Sequence, residues 1–225
     1  MESGFQITLD QRPPAQPGVF CCATREAPPL SWQLPGLHVR RWGGWLIDAD
    51  ALLLDLMDQV PWKQESITLF GKTHPLPRLT CWMADPGAYY RYSGIEQSPS
   101  PWLPSLLLLR QRLGELCGHD FNALLLNHYR DGNDAMGCHA DDEPELVPSA
   151  SIASISLGVC RSLRFKPKPR SVLSAGQEPL SLELCHGDLL VMDPPTQEHW
   201  LHELPRRRRV TQTRINLTFR KVMVS

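Results

Sequence analysis

The chain has 225 residues, with 23 Lys and Arg against 24 Asp and Glu, a formal charge of −1. That length buries a good core and is most simply one domain, with or without a tail, and so balanced a charge identifies no partner, so any nucleic-acid surface must be local. Seven cysteines with no C-x-x-C pair and no secretory signal read as reduced thiols in an intracellular protein, not a disulfide framework, and no apolar run is long enough to cross a bilayer.

Residues 1–36 are rich in Pro and lack periodicity, which predicts a partly ordered tail. Asp48 is a good N-cap for a helix over "DADALLLDLMDQV", whose apolar residues at 49, 53, 56 and 60 share one face, and Pro61 stops it. "ITLFGKTHPLPRLTCWM" reads as a strand, a Gly turn and a Pro-interrupted strand. A second helix runs from about Ser105 to Cys117, with Gly118 as its stop. After residue 120 short strand-like runs take over, at 121–129, 151–158, 162–166, 180–184, 188–192 and 210–223. Turn residues separate them, as in a β-sandwich or barrel.

Two H-x-D triplets stand in the second half. His139 and Asp141 are two apart, so an extended backbone points both side chains the same way. With one later His they make the facial set of three that suits non-heme Fe(II) and leaves positions open. The alternative is a solvated acidic turn. His186 and Asp188 form the second triplet, but His186 lies too close to His199 and His202 for strands to intervene. It reads as a turn entering "DLLVM". His139 lies far enough before both later histidines for several strands to return the chain.

In "TRINLTFRKV", Arg214, Asn216, Thr218 and Arg220 fall on one face and Ile215, Leu217 and Phe219 on the other. A polar face with Arg at each end suits either solvent or a cavity holding a dianion, each guanidinium gripping one carboxylate. Asn127 and Tyr129 share a face and can reach the same dianion, or serve as a structural polar pair.

The segments "LFGKTHPLPR", "NHYRDGNDAMGCHADDE", "SIASISLG", "HGDLLVM", "HWLHELP" and "TRINLTFRK" together resemble the AlkB family of Fe(II)/2-oxoglutarate dioxygenases, and its duplex-DNA-repairing branch, over roughly residues 38–223. The resemblance implies an α+β, mainly β fold: a double-stranded β-helix, or jelly roll, with an N-terminal helix-and-hairpin lid that recognises nucleotide. Residues 37–225 are then one domain, with lid and supporting helices at 37–119 and the catalytic jelly roll at 120–225. It implies iron on His139, Asp141 and His202, choosing His202 over His199. It also implies 2-oxoglutarate held by Asn127, Tyr129, Arg214, Thr218 and Arg220, with Asn216 on the same face.

The implied reaction takes O2 and 2-oxoglutarate, releases succinate and CO2, and hydroxylates an N-methyl carbon. The hemiaminal then sheds formaldehyde and restores the base. The iron and cosubstrate supply the hard chemistry. The implied substrates are 1-methyladenine and 3-methylcytosine, which can carry positive charge. The resemblance then puts Asp142 against the damaged base with Glu143 beside it, while an Arg partner or a turn cap is the competing reading for both, most of all for Glu143. A base in a duplex must be extruded first. Phe70, before Gly71 and Lys72, is the implied finger at a hairpin tip, against the reading of a core Phe. Tyr90 is implied against the lesion, and Tyr92 offers a second stacking face.

Arg206, Arg207, Arg208 and Arg209 lie between His202 and Arg214 and suit phosphates, although such runs are also solvated loops or import signals. Arg161, Arg164, Lys166, Lys168 and Arg170 are expected to add a second positive surface. The expected partner is alkylated DNA, double- and single-stranded, bound by a monomer with no membrane. The expected compartment is the cytoplasm or nucleoid of a bacterium or the nucleus of a eukaryote. An RNA demethylase, a protein hydroxylase on the same core, and a non-catalytic nucleic-acid-binding jelly roll are the competing readings.

Overall fold

The alternation in the last long strand sets the layers of the molecule. In β15 (Arg214–Arg220), Ile215, Leu217 and Phe219 are fully buried among residues of two helices, α1 (Ala49–Gln59) and α2 (Pro104–Cys117). Arg214, Asn216, Thr218 and Arg220 face the other way, into a cavity. A computed structural model describes residues 27–69, 71–88, 91–92, 95–96 and 99–224.

The larger sheet has seven strands, in the order β1 (Leu30–Leu34), β2 (Leu37–Trp42), β13 (Asp188–Asp193), β10 (Ile152–Gly158), β15, β8 (Ala123–Tyr129) and β5 (Leu79–Ala84). The smaller has four: β12 (Leu180–Leu184), β11 (Arg161–Pro167), β14 (Trp200–Leu204) and β9 (Met136–His139). All of these pairs are antiparallel. Two hairpins stand apart, β3 (Ser66–Leu69) with β4 (Lys72–Pro75), and β6 (Arg91–Tyr92) with β7 (Ile95–Glu96).

One apolar core lies between the outer face of the larger sheet and the helices, with Leu52, Leu56, Leu106, Leu109 and Leu113 buried from the helix side. The periodicity of both helices creates that stripe, and truncating any one of these leucines to Ala costs about 2–5 kcal/mol. A second core includes Val39, Leu190 and Met192 of the larger sheet with Phe165, Leu182 and Trp200. The result is the expected jelly roll, with helices covering one face.

Several expectations change. Residues 30–34 lie inside the predicted tail yet form β1, because Leu30 to Leu34 pair in register with Arg41 to Leu37. Strands β2 and β5 join the larger sheet from the half assigned to the lid. Asp48 stands at the N-cap of α1 but its side chain makes no capping bond. Gly118 ends α2 in the left-handed region, at φ 74°, as expected. Cys160 and Cys185 form a disulfide where reduced thiols were expected. The two sheet-crossing turns, β10 to β11 and β12 to β13, bring their Cα atoms to 4.1 Å, which spacing in the chain could not reveal. Phe70 and Tyr90 lie outside the described residues, and only the backbone of Tyr92 is described.

Candidate active site

Strand β9 ends at His139, and β14 pairs with it so that His202 lies directly opposite. The two imidazole centroids are 4.3 Å apart. Asp141, two residues on, brings Oδ1 to 3.6 Å from His139 Nε2. One ligand atom from each of His139, Asp141 and His202 lies within 4.8 Å of the others. His139 Nδ1 is 2.9 Å from Gly137 O, which fixes the ring and leaves Nε2 for the centre. The backbone N–H of Asp141 donates to Gln197 Oε1 at 3.0 Å.

The protonation states suit a metal. Burial alone would raise Asp141, but the Arg220 guanidinium, with His202 and His139, outweighs it and holds the carboxyl down at about 2. Burial, with His139 beside it, pushes His202 down to about 3. At neutral pH the set is therefore a carboxylate and a neutral imidazole with a second imidazole adjoining, as ligation requires. Asp141 Oδ2 is buried with no hydrogen-bond partner among the described residues. An orphaned anionic oxygen on the residue clustered with two histidines fits a divalent cation.

The rival residues serve the scaffold. His186 Nδ1 accepts from the N–H of Gly158 at 2.8 Å. Asp188 accepts from the N–H groups of Gly44 and Cys185 at 2.7 and 2.8 Å and pairs with Arg41 at 2.6 Å. The second H-x-D thus clamps the turn into β13, as expected. His199, at the end of α3 (Thr196–His199), meets Ser171 Oγ through Nδ1 at 2.9 Å and lies outside the triad.

The same cavity gathers the dianion residues. Asn127, Tyr129, Arg214, Asn216, Thr218 and Arg220 line it together with His139, Asp141 and His202. Arg214 and Arg220 are each 2% exposed. Arg214 donates through Nη2 to Ser156 Oγ at 2.9 Å and stands 5.4 Å from the Tyr129 ring centroid. Its Nε has no hydrogen-bond partner among the described residues. Burial pushes its pKa down to about 10, still cationic at pH 7, so it needs an anion. Arg220 donates through Nη2 to Asp141 Oδ1 at 2.7 Å, joining the dianion face to the triad. Asn216 is engaged by its neighbours: Nδ2 donates to Ser154 Oγ at 2.8 Å, and Oδ1 accepts from Thr218 Oγ1 at 3.0 Å. It positions Thr218.

A family model described as the 2OG-Fe(II) oxygenase superfamily matches residues 47–220. The DNA oxidative demethylase ALKBH2 of Mus musculus is 42% identical over 185 residues, which is 78% of this chain and 76% of that protein. The alpha-ketoglutarate-dependent dioxygenase alkB homolog 3 of Mus musculus is 41% identical over 181 residues, 79% of this chain and 63% of that one. The chain belongs to the AlkB family. It is an Fe(II)/2-oxoglutarate-dependent dioxygenase, and the family requires Fe(II), 2-oxoglutarate and O2. A solved structure titled "The structure of OsALKBH1" superposes with TM-score 0.56 over 84% of this chain and all of that chain, at 18% identity, a likeness of fold alone.

Sequence reasoning missed several residues of this AlkB-family site. Arg78, buried in the segment before β5, donates through Nε to Asn127 Oδ1 at 2.8 Å. That leaves the amide NH2 of Asn127 as its donor toward the cavity. Ser154 and Ser156 alternate on the inner face of β10 and support Asn216 and Arg214. The period-2 pattern of "SIASISLG" carried that signal. Gln197 had none.

The nucleic-acid residues are less uniform. Asp142 is exposed and pairs with Lys168 at 2.6 Å. Glu143 is half-buried, and its carbonyl accepts from the N–H of Leu146 at 3.0 Å in a turn. Gly71 has φ 76° and Lys72 is exposed. All four of Arg206 to Arg209 are exposed. Their loop is tied down where the N–H of Arg207 donates to Gly132 O at 2.8 Å. The second basic surface needs correction. Arg161 is buried and donates to the carbonyls of Asp131, Asp134 and Pro205. Arg164 and Lys166 pair with Glu203, and Lys168 with Asp142. Arg161 is thus withdrawn from the surface, and Arg164, Lys166 and Lys168 face acidic partners on it.

Proposed function

We propose that this protein removes N-methyl groups from alkylated bases in DNA, with 1-methyladenine and 3-methylcytosine as substrates, as a direct-reversal repair enzyme. One observation carries the chemistry: the His139, Asp141 and His202 triad shares a cavity with the buried cations Arg214 and Arg220. The choice of DNA rests on the relatives named DNA oxidative demethylase and on the exposed arginines at 206–209. Bound Fe(II) with 2-oxoglutarate supplies oxidative decarboxylation coupled to hydroxylation of a methyl carbon.

The protein's own part is positioning. Arg214 and Arg220 take the two carboxylates of 2-oxoglutarate, with Asn127, Tyr129 and Thr218 supplying further contacts. Arg220 also fixes the Asp141 carboxylate, so cosubstrate and metal ligand are aligned by one side chain. Met136, Leu163, Leu184, Met192 and Leu204 close the cavity walls and limit water. Asp142 faces the cationic base from the next position. The chain acts inside the cell as a monomer, on paired and single strands. Among the described residues no helix is long and apolar enough to cross a membrane.

The test is formaldehyde release from one methylated sequence offered as DNA and RNA, each single- and double-stranded. Formaldehyde in step with succinate from the DNA substrates is expected. Release from RNA alone, or none while 2-oxoglutarate is still consumed, would overturn the DNA reading.

The finger makes a second expectation. Leu69 pairs with Lys72, and Phe70 and Gly71 are the two residues between them in the sequence. An apolar side chain there can fill the stack that an extruded base leaves, offsetting an unstacking cost of about a few kcal/mol. Phe70→Ala is expected to slow repair of duplex DNA strongly and of the same lesion in a single strand much less, with little change in melting temperature. A core Phe gives the opposite: about 3–5 kcal/mol of lost stability and both rates falling together.

A further inference from the structure

Asp142 follows the ligand Asp141 directly, and its carboxylate already holds a cation. Lys168 Nζ lies 2.6 Å from Asp142 Oδ2, with side-chain exposures of 20% for the lysine and 56% for the aspartate. The lysine is anchored through its backbone: its N–H donates to His199 O at 2.8 Å and its carbonyl accepts from the N–H of Ser171 at 3.0 Å. It follows β11, which pairs with the strand that carries His202 through Phe165 opposite His202 and Pro167 opposite Trp200. The ammonium is thus delivered to Asp142 from the strand beside the triad. A lysine held this way loses less freedom on pairing than one on a free loop.

We infer that Lys168 is a specificity-determining residue, whose ammonium holds the place on Asp142 that a cationic alkylated base takes when it enters. This rests on the reading above, in which Asp142 faces the lesion. A cationic base then binds by exchange, one cation for another, so much of its Coulomb gain from Asp142 is offset by displacing Lys168. A neutral methylated base leaves the pair intact. The pair also presents no net charge to the approaching DNA polyanion, where a bare carboxylate would repel phosphate. Lys168 therefore narrows the preference for charged over neutral lesions and widens the range of bases the site admits. Once displaced, its ammonium is available to phosphate.

The test is equilibrium binding without turnover. Single-stranded oligonucleotides of one sequence carry 1-methyladenine, which is cationic, 1-methylguanine, which is neutral, or no lesion. Fluorescence anisotropy gives Kd for the wild type, Lys168→Met, Lys168→Gln, Lys168→Arg, Asp142→Asn and the Asp142→Asn/Lys168→Met double variant. Removing the lysine charge is expected to raise the preference for the cationic over the neutral lesion by up to about fivefold, the scale of one partly exposed ion pair. Lys168→Arg should match the wild type. In the Asp142→Asn background Lys168→Met should leave the ratio unchanged.

An unchanged ratio in both neutral variants overturns the inference. So does equal weakening for all three oligonucleotides with a shallower salt dependence, which marks a plain phosphate contact. If the wild type binds neither lesion more tightly than unmodified DNA, the demethylase reading itself fails and takes this inference with it.

Discussion

Replacing His139, Asp141 or His202 with Ala is expected to abolish turnover and to release Fe(II). Two remaining ligands hold the ion weakly and leave its open positions undirected. The three variants should differ in stability. Truncating His139 loses its ring contact with Gly137 O, and truncating His202, whose imidazole burial keeps neutral, loses packing, so neither leaves a buried charge unpaired. Asp141→Ala also removes the carboxylate that Arg220 Nη2 binds at 2.7 Å, where both side chains are under 4% exposed. Breaking a buried pair on one side costs about 3–5 kcal/mol, so the metal-free melting temperature should fall furthest in Asp141→Ala. His186→Ala and His199→Ala should keep Fe(II) and most activity. Fe(II) titration and melting curves on all five variants check this. Loss of Fe(II) in His186→Ala with retention in His139→Ala would move the metal to the His186 and Asp188 triplet.

The choice between the two triplets shows what the sequence makes legible. Alternation within one strand can be read, because side chains two apart share a face whatever the fold. That is why the Arg214 to Arg220 face was visible, and the structure puts it in the cavity. Register between strands cannot be read that way. β9 and β14 are four and five residues long and were not foreseen, so the pairing of His202 with His139 had no local signal. His202 and His199 looked alike by spacing, and the resemblance separated them. The disulfide failed for the same reason, since it depends on two turns meeting. The basic stretch failed differently. Arg161 looks like surface charge, but three carbonyls from two other loops converge on it, and such convergence has no sequence pattern. β1 was hidden by prolines nearby, although a strand at the edge of a sheet tolerates them.

Arg220→Lys and Arg214→Lys are expected to have separable effects, because the structure gives the two arginines different neighbours. Lysine keeps the charge and loses the planar fork. At Arg214 the fork serves Ser156 on one side and the cavity on the other. Arg214→Lys should raise the apparent 2-oxoglutarate requirement several-fold or more, reflecting roughly 1–3 kcal/mol for a hydrogen bond to a charged group. Its Fe(II) requirement should stay near that of the wild type. At Arg220 the guanidinium also holds Asp141 Oδ1, and one ammonium cannot hold both the ligand carboxylate and a cosubstrate carboxylate with the same geometry. Arg220→Lys should therefore raise the requirements for 2-oxoglutarate and Fe(II) together. DNA binding measured without 2-oxoglutarate should barely change in either variant. Titrating each variant with 2-oxoglutarate at saturating Fe(II), then with Fe(II) at saturating 2-oxoglutarate, separates the two effects. Unchanged 2-oxoglutarate dependence in both variants would remove the dianion pocket. A matched rise in Fe(II) requirement for Arg214→Lys would show that the link between pocket and metal does not run through Arg220 alone.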